Sequence, residues 1–186
     1  MTINLPNQVT LSRLVLAIVL FVLMSFDNTV ALNAALGVFI VAGLSDLLDG
    51  YLARKLKMTT EFGRAADPLV DKLVVLGALV YLLPHRQYSY VAPWMVMVVL
   101  TRELLVTGIR AVAESKGMPF AADSVGKIKT LLQSVAIGVA LLGVANKLDL
   151  GWPLYAVLLL AVIMTAVSGV EYVARAYQLF AVGEHM

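Results

Sequence analysis

The sequence predicts an all-α fold: a polytopic membrane protein with six transmembrane helices. Three observations predict it. Apolar residues make up 61% of the 186 residues, with a mean hydropathy of +0.90, far above the usual share in a soluble domain. Polar clusters cut the apolar runs at regular intervals, leaving stretches near the roughly 20 residues that a bilayer crossing requires. Lys and Arg gather at alternate helix ends. No length remains for a separate soluble domain, so residues 1–186 are expected to form a single integral membrane domain.

In chain order, the expected spans are 10–26, 31–56, 62–83, 90–114, 124–146 and 152–180. The cuts between them fall on turn residues: Asp27-Asn28, Pro84, Pro93, Gly117 with Pro119, and Gly151 with Pro153. The amino-terminal MTINLPNQVTLSR lacks the basic, then apolar, then small pattern of a cleaved signal, so the first run is expected to be a retained span. Arg13, Arg54, Lys55, Lys57, Arg64, Lys72, Arg102, Arg110, Lys116, Lys127, Lys129 and Arg175 fall toward one side of this arrangement. Only Arg86 and Lys147 fall toward the other. The positive-inside rule then places both termini on the cytoplasmic side.

Composition excludes several classes of chemistry. Without cysteine there is no disulfide, thiolate metal site or thiol nucleophile. Two histidines, His85 and His185, argue against a histidine-based zinc site. A net charge of +2 is too small to imply a nucleic-acid partner.

The informative stretch is SDLLDGYLARKLKMTTEFGRAADPLVDK, residues 45–72. It places Asp46, Asp49, Asp67 and Asp71 on segments that otherwise read as membrane helices, where a carboxylate is costly and needs a partner. Asp46 and Asp49 are i,i+3, and Asp67 and Asp71 are i,i+4, so each pair shares a helix face. Two such helices joined by a short loop bring four carboxylates together, and four carboxylates repel unless cations neutralise them. All-oxygen ligands select hard divalent ions, Mg²⁺ or Mn²⁺, and four aspartates suit a pair of ions clamping a phosphate. Gly50, Ala53 and Gly63 leave space beside the metals, and Arg54 adds a cation able to grip phosphate with two hydrogen bonds. Pro68 removes a backbone donor, which predicts a kink or a helix start there. The same residues also admit a structural network with Arg54, Arg64 and Lys72, or an ion-transport path.

The run Asp46-x-x-Asp49-Gly50-x-x-Ala53-Arg54, eight residues, Gly63-x-x-x-Asp67-x-x-x-Asp71 resembles the signature of the CDP-alcohol phosphotransferases in every position. The resemblance implies roles. Asp46 and Asp67 would bridge two divalent ions, Asp49 would bind one and Asp71 the other, with Asp71 also the general base toward the acceptor hydroxyl. Gly50, Arg54, Thr60 and Gly63 would border the CDP moiety of CDP-diacylglycerol. Asn7-x-x-Thr10-x-x-Arg13 resembles a segment flanking the nucleotide site, although a polar helix cap explains Asn7 and Thr10 equally well. Family members are usually homodimers surrounded by membrane lipids, with the active site at the cytoplasmic face of the bacterial plasma membrane.

The signature leaves the acceptor alcohol open. Arg102 and Arg110 lie about two turns apart on one helix, and Gly126-Lys127-x-Lys129-Thr130-x-x-Gln133 opens the next. Cations converging there suit an anionic acceptor, with Arg110, Lys127 and Lys129 as the candidate contacts. Lys127 and Lys129 point about 200° apart on a regular helix, so one of them should matter more. TRELLVTGIR together with GKIKTLLQ resembles the bacterial phosphatidylglycerophosphate-forming branch of the family, whose acceptor is glycerol 3-phosphate. Inositol phosphate and phosphatidylglycerol are the alternative acceptors. Arg102 with Glu103 reads equally as a structural ion pair, and Lys116 and Arg175 as ordinary anchors at the membrane edge.

Overall fold

The computed structural model describes residues 5–56, 61–115 and 124–183. Seven helices follow one another, and the described residues contain no strand: α1 (Leu5–Ser25), α2 (Thr29–Leu56), α3 (Glu61–Leu82), α4 (Arg86–Ser89), α5 (Pro93–Ser115), α6 (Ser124–Asn146) and α7 (Gly151–Gly183). Six are long and overlap the six expected spans; α4 is a single turn inside the link between α3 and α5.

The turn residues act as the local chemistry dictates. Asp27 adopts φ 45°, and Asn28 then caps α2 by accepting the Ala31 N–H at 2.9 Å. Pro93 occupies the first position of α5, where a missing N–H costs nothing. Lys147, at φ 53°, closes α6: its own N–H reaches the Val144 carbonyl at 3.3 Å, and the Leu148 N–H reaches that of Gly143 at 2.8 Å. Pro68 does not start a helix. α3 begins at Glu61 and runs through the proline, so this single lost hydrogen bond does not end it.

α1 packs on α2 and α3, α6 on α2 and α7, and α5 on α7. Their shared core includes Leu20, Phe39, Leu82, Met95, Ile137 and Leu158. Alanines 35, 78, 136 and 140 are fully buried among them and let helices approach closely. The tightest approach is Gly77 of α3, where a Cβ would stand 2.2 Å from Cε1 of the Phe21 ring on α1.

The outer surface is apolar as well. α6 exposes Ile128, Leu131, Val135, Val139 and Leu142 along one stripe, and α1 exposes Leu11, Val15, Ile18 and Val22. Such stripes on a water-soluble monomer would be exceptional; against lipid they are the ordinary case. Two helical stretches among the described residues are long and apolar enough to cross a membrane, Ile128–Asn146 and Gly151–Leu179. The described parts of α1, α2 and α3 add the shorter apolar stretches Leu11–Ser25, Thr29–Ser45 and Lys72–Leu82.

Candidate active site

Asp46 and Asp49 fall in the last part of α2, with Gly50 and Arg54 one and two turns further on. Gly63, Asp67 and Asp71 fall in the first half of α3. The backbone is helical through both segments, so the i,i+3 and i,i+4 spacings place each aspartate pair on one helix face. Their side chains lie outside the described parts of the structure, as does the whole of Thr60. The link 57–60 joins the two helices and limits the gap between Leu56 and Glu61 to about 18 Å at full extension.

Asn7 and Thr10 lie within the first two turns of α1, whose helix begins before them at Leu5. Asn7 is therefore not the residue that caps this helix; its side chain and that of Thr10 are outside the described parts. Arg13, one turn further, is buried at 8% exposure, so this cation is turned into the protein.

The best-defined chemistry lies near mid-length of α3, α5 and α7, around Glu103. Its Oε1 accepts from Arg102 Nη1 at 3.1 Å and from Lys129 Nζ, while Lys72 Nζ stands 3.8 Å from Oε2. Lys72 also donates to the Glu103 main-chain carbonyl at 3.0 Å, and Thr107 Oγ1 donates to the same oxygen at 2.8 Å. Arg102 spends its other arm on Ser168 Oγ of α7 at 2.7 Å. The stem of Arg102 lies against Gly169, where a Cβ would come within 3.0 Å of its Cγ.

Three cations thus meet one carboxylate in a region where Lys129 is only 3% exposed and the Glu103 and Arg102 side chains are 13% and 12% exposed. Charges this deeply buried need partners, and Glu103 is one that all three cations share. Arg102 Nε and, one turn beyond Lys129, the buried Gln133 Nε2 have no acceptor among the described residues.

Of the sequence-derived acceptor contacts, Lys129 is brought into this cluster with its ammonium on Glu103. Arg110 lies two turns after Glu103 on α5, its Nε 3.5 Å from the Tyr172 hydroxyl on α7. Lys127 lies in the first turn of α6, its side chain outside the described parts. Sequence reasoning paired Glu103 with Arg102 alone and missed its contacts with Lys72 and Lys129. The available signal was its charge: a carboxylate inside an apolar span needs cations, and Lys72 and Lys129 were candidates of the right sign.

Comparison with known proteins adds the family context. The model of the CDP-alcohol phosphatidyltransferase family matches residues 3–178. The chain is 38% identical over 188 residues to a CDP-diacylglycerol–glycerol-3-phosphate 3-phosphatidyltransferase of Bacillus subtilis, covering 94% of this chain and 96% of that one. It is 36% identical over 176 residues to a probable phosphatidylglycerophosphate synthase of Mycobacterium tuberculosis, covering 93% and 81%. A Rickettsia typhi protein of the same name as the first is 30% identical over 173 residues, covering 91% and 94%.

Proposed function

The chain belongs to the CDP-alcohol phosphatidyltransferase family, and from that premise we propose that it transfers the phosphatidyl group of CDP-diacylglycerol to glycerol 3-phosphate. The products are phosphatidylglycerophosphate and CMP. The acceptor hydroxyl oxygen forms a bond to the phosphatidyl phosphorus, the bond from that phosphorus to CMP breaks, and Asp71 takes the hydroxyl proton.

An alcohol is a weak nucleophile at neutral pH, so a carboxylate within hydrogen-bonding reach must accept its proton. Family members need divalent metal ions, and the donor set fits them: Asp46, Asp49, Asp67 and Asp71 offer oxygen alone, which suits two ions of Mg²⁺ or Mn²⁺. Bound there, the ions would supply positive charge to the diphosphate and to the departing CMP. Gly50 and Gly63 leave room for the CDP moiety, Arg54 and Thr60 hold it, and Asn7 and Thr10 close its border. Arg110, Lys127 and Lys129 hold the acceptor phosphate.

The observation that carries the choice of acceptor is the gathering of Lys72, Arg102 and Lys129 around Glu103. An acceptor phosphate must come close to a diphosphate and to four carboxylates, an approach that is repulsive at low effective dielectric without nearby cations. Lys72, Arg102 and Lys129, gathered at Glu103, offer such cations, which a cationic or neutral alcohol would not need. The test is CMP release from CDP-diacylglycerol by purified protein with a divalent metal, screened against glycerol 3-phosphate, inositol phosphate and phosphatidylglycerol. Release with glycerol 3-phosphate is expected. Release with either other acceptor but not with glycerol 3-phosphate overturns the acceptor and leaves the transfer chemistry standing.

The proposal includes the setting. The single catalytic domain crosses the bilayer six times as a homodimer, with both termini and the 57–60 link on the cytoplasmic side. The apolar outer stripes of α1 and α6 support a lipid surround. Cysteines introduced at Lys57 and Gln87 should label from opposite sides of sealed membranes; labelling from one side breaks the six-span arrangement.

A further inference from the structure

We infer that Glu103 is a positioning residue that sets the acceptor-binding cations in register with the aspartate helix. The inference rests on the proposed function, since it takes Asp71 as the base and the cations as the acceptor's grip. The geometry is that of a junction between three helices. Glu103 sits on α5, and the cations it gathers come from α3 (Lys72), from α5 itself (Arg102) and from α6 (Lys129).

Two features separate this arrangement from an ordinary ion pair. The first is what Lys72 is attached to. It directly follows Asp71, and it is held twice by one residue, by the Glu103 carboxylate and by the Glu103 main-chain carbonyl. That double hold ties α3 to α5 at the residue next to the base. The second is that one oxygen, Oε1, accepts from both Arg102 and Lys129. Without that negative charge, two cations brought this close would repel one another at low dielectric. Lys129 has little room to escape toward water, being 3% exposed. Arg102 also has an anchor on Ser168. A single carboxylate therefore decides two placements: where Lys129, with Arg102 beside it, meets the acceptor's phosphate, and where α3 presents its base to the acceptor's hydroxyl. Placing the two ends of one small molecule together is the condition for a productive approach, and a misplacement of about 1 Å is enough to cost turnover heavily.

The experiment compares wild type with Glu103→Gln and Glu103→Asp, each purified in detergent and checked for folding by thermal unfolding. Glu103→Gln keeps shape and an accepting oxygen but loses the charge. Its KM for glycerol 3-phosphate should rise by about tenfold or more, as for loss of a charge-assisted contact, and kcat should fall, while KM for CDP-diacylglycerol stays within about twofold. The rise in unfolding temperature that glycerol 3-phosphate gives the wild type should be lost. Glu103→Asp keeps the charge on a shorter stem and should recover part of both. A role in folding alone would lower the unfolding temperature and leave KM untouched, and an unchanged KM for the acceptor in folded Glu103→Gln overturns the inference. Should Glu103→Gln fail to fold, Glu103→Asp carries the test: a several-fold rise in KM supports the assignment and no rise overturns it. Wild type is the reference throughout. If it uses another acceptor, the same split is read on that acceptor, so a wrong acceptor and a wrong role for Glu103 give different results.

Discussion

One end of the helix bundle and its interior treat polar groups in opposite ways. At the end formed by the turns around residues 27, 84–92 and 147–150, polar side chains pair until little is left over. Asn33 and Asn146 exchange amide hydrogen bonds of 3.3 and 3.2 Å between α2 and α6. Asp27 takes the Tyr81 hydroxyl at 2.9 Å and stands 3.6 Å from His85 Nε2. The buried Ser89 hydroxyl donates to the Leu82 carbonyl and accepts the Val91 N–H. Tyr90 donates to Asp149, and that hydrogen bond, helped by the Gly151 N–H, holds the Asp149 carboxyl below its usual range. Deeper in the bundle, around Glu103, three cations share one carboxylate, and two buried nitrogens lack acceptors among the described residues. Satisfied polar groups hold a fold together, whereas buried donors left without acceptors are the places where a ligand has something to bind, as proposed for this cluster.

Substitutions can break or sharpen that contrast. The largest effect is expected at the aspartate helix: Asp71→Asn should retain CDP-diacylglycerol binding and lose turnover by at least ~10²-fold, as for removal of a general base. Near-normal turnover in a rate assay would strip Asp71 of that role. Next comes Arg110→Ala, expected to raise KM for glycerol 3-phosphate by about tenfold or more while leaving KM for CDP-diacylglycerol nearly constant. Arg110→Lys should recover only part of this, because it keeps the charge and loses the planar fork.

Two further changes probe packing and pairing away from the cluster. Gly77→Ala forces a methyl group into the Phe21 ring and should lower stability by about 1–3 kcal/mol, seen as a lower unfolding temperature. Phe21→Leu in the same chain should return part of that loss. The smallest effect is expected from Asn146→Ala, which removes one half of a reciprocal amide pair. About 0.5–1.5 kcal/mol of stability should go, with both Michaelis constants unchanged. A kinetic effect there would blur the distinction between the two regions.

The sequence made the helices and the aspartate motif legible for different reasons. Apolar runs and the turn residues at Asp27-Asn28, Pro93 and Gly151 are local signals, and helices follow from local signals. The aspartates stand out because charge inside an apolar run is rare and their spacing is regular. Glu103 was visible as a charge, but its partners were not. Lys72 and Lys129 lie 31 and 26 residues away along the chain, and only the packing of α3, α5 and α6 brings them to it. Ser168 and Tyr172 carry no signal of their own: a serine and a tyrosine on a long apolar helix are ordinary until Arg102 and Arg110 are found beside them. The short α4 escaped for a similar reason, since one turn leaves no periodicity to read.

One feature of α3 bears on the lipid around the protein. Between Lys72 and Pro84 the chain offers only eleven uncharged residues, about 16 Å of helix, against a hydrocarbon layer about 30 Å thick. In the proposed six-span arrangement an apolar stretch that short does not match the bilayer, so the membrane would dimple beside it or water would follow the aspartates inward. Either adjustment would lower the polar surface locally toward the motif. The headgroup of the proposed lipid substrate would then descend with that surface, and its acyl chains would not need to leave the hydrocarbon for the reaction to occur.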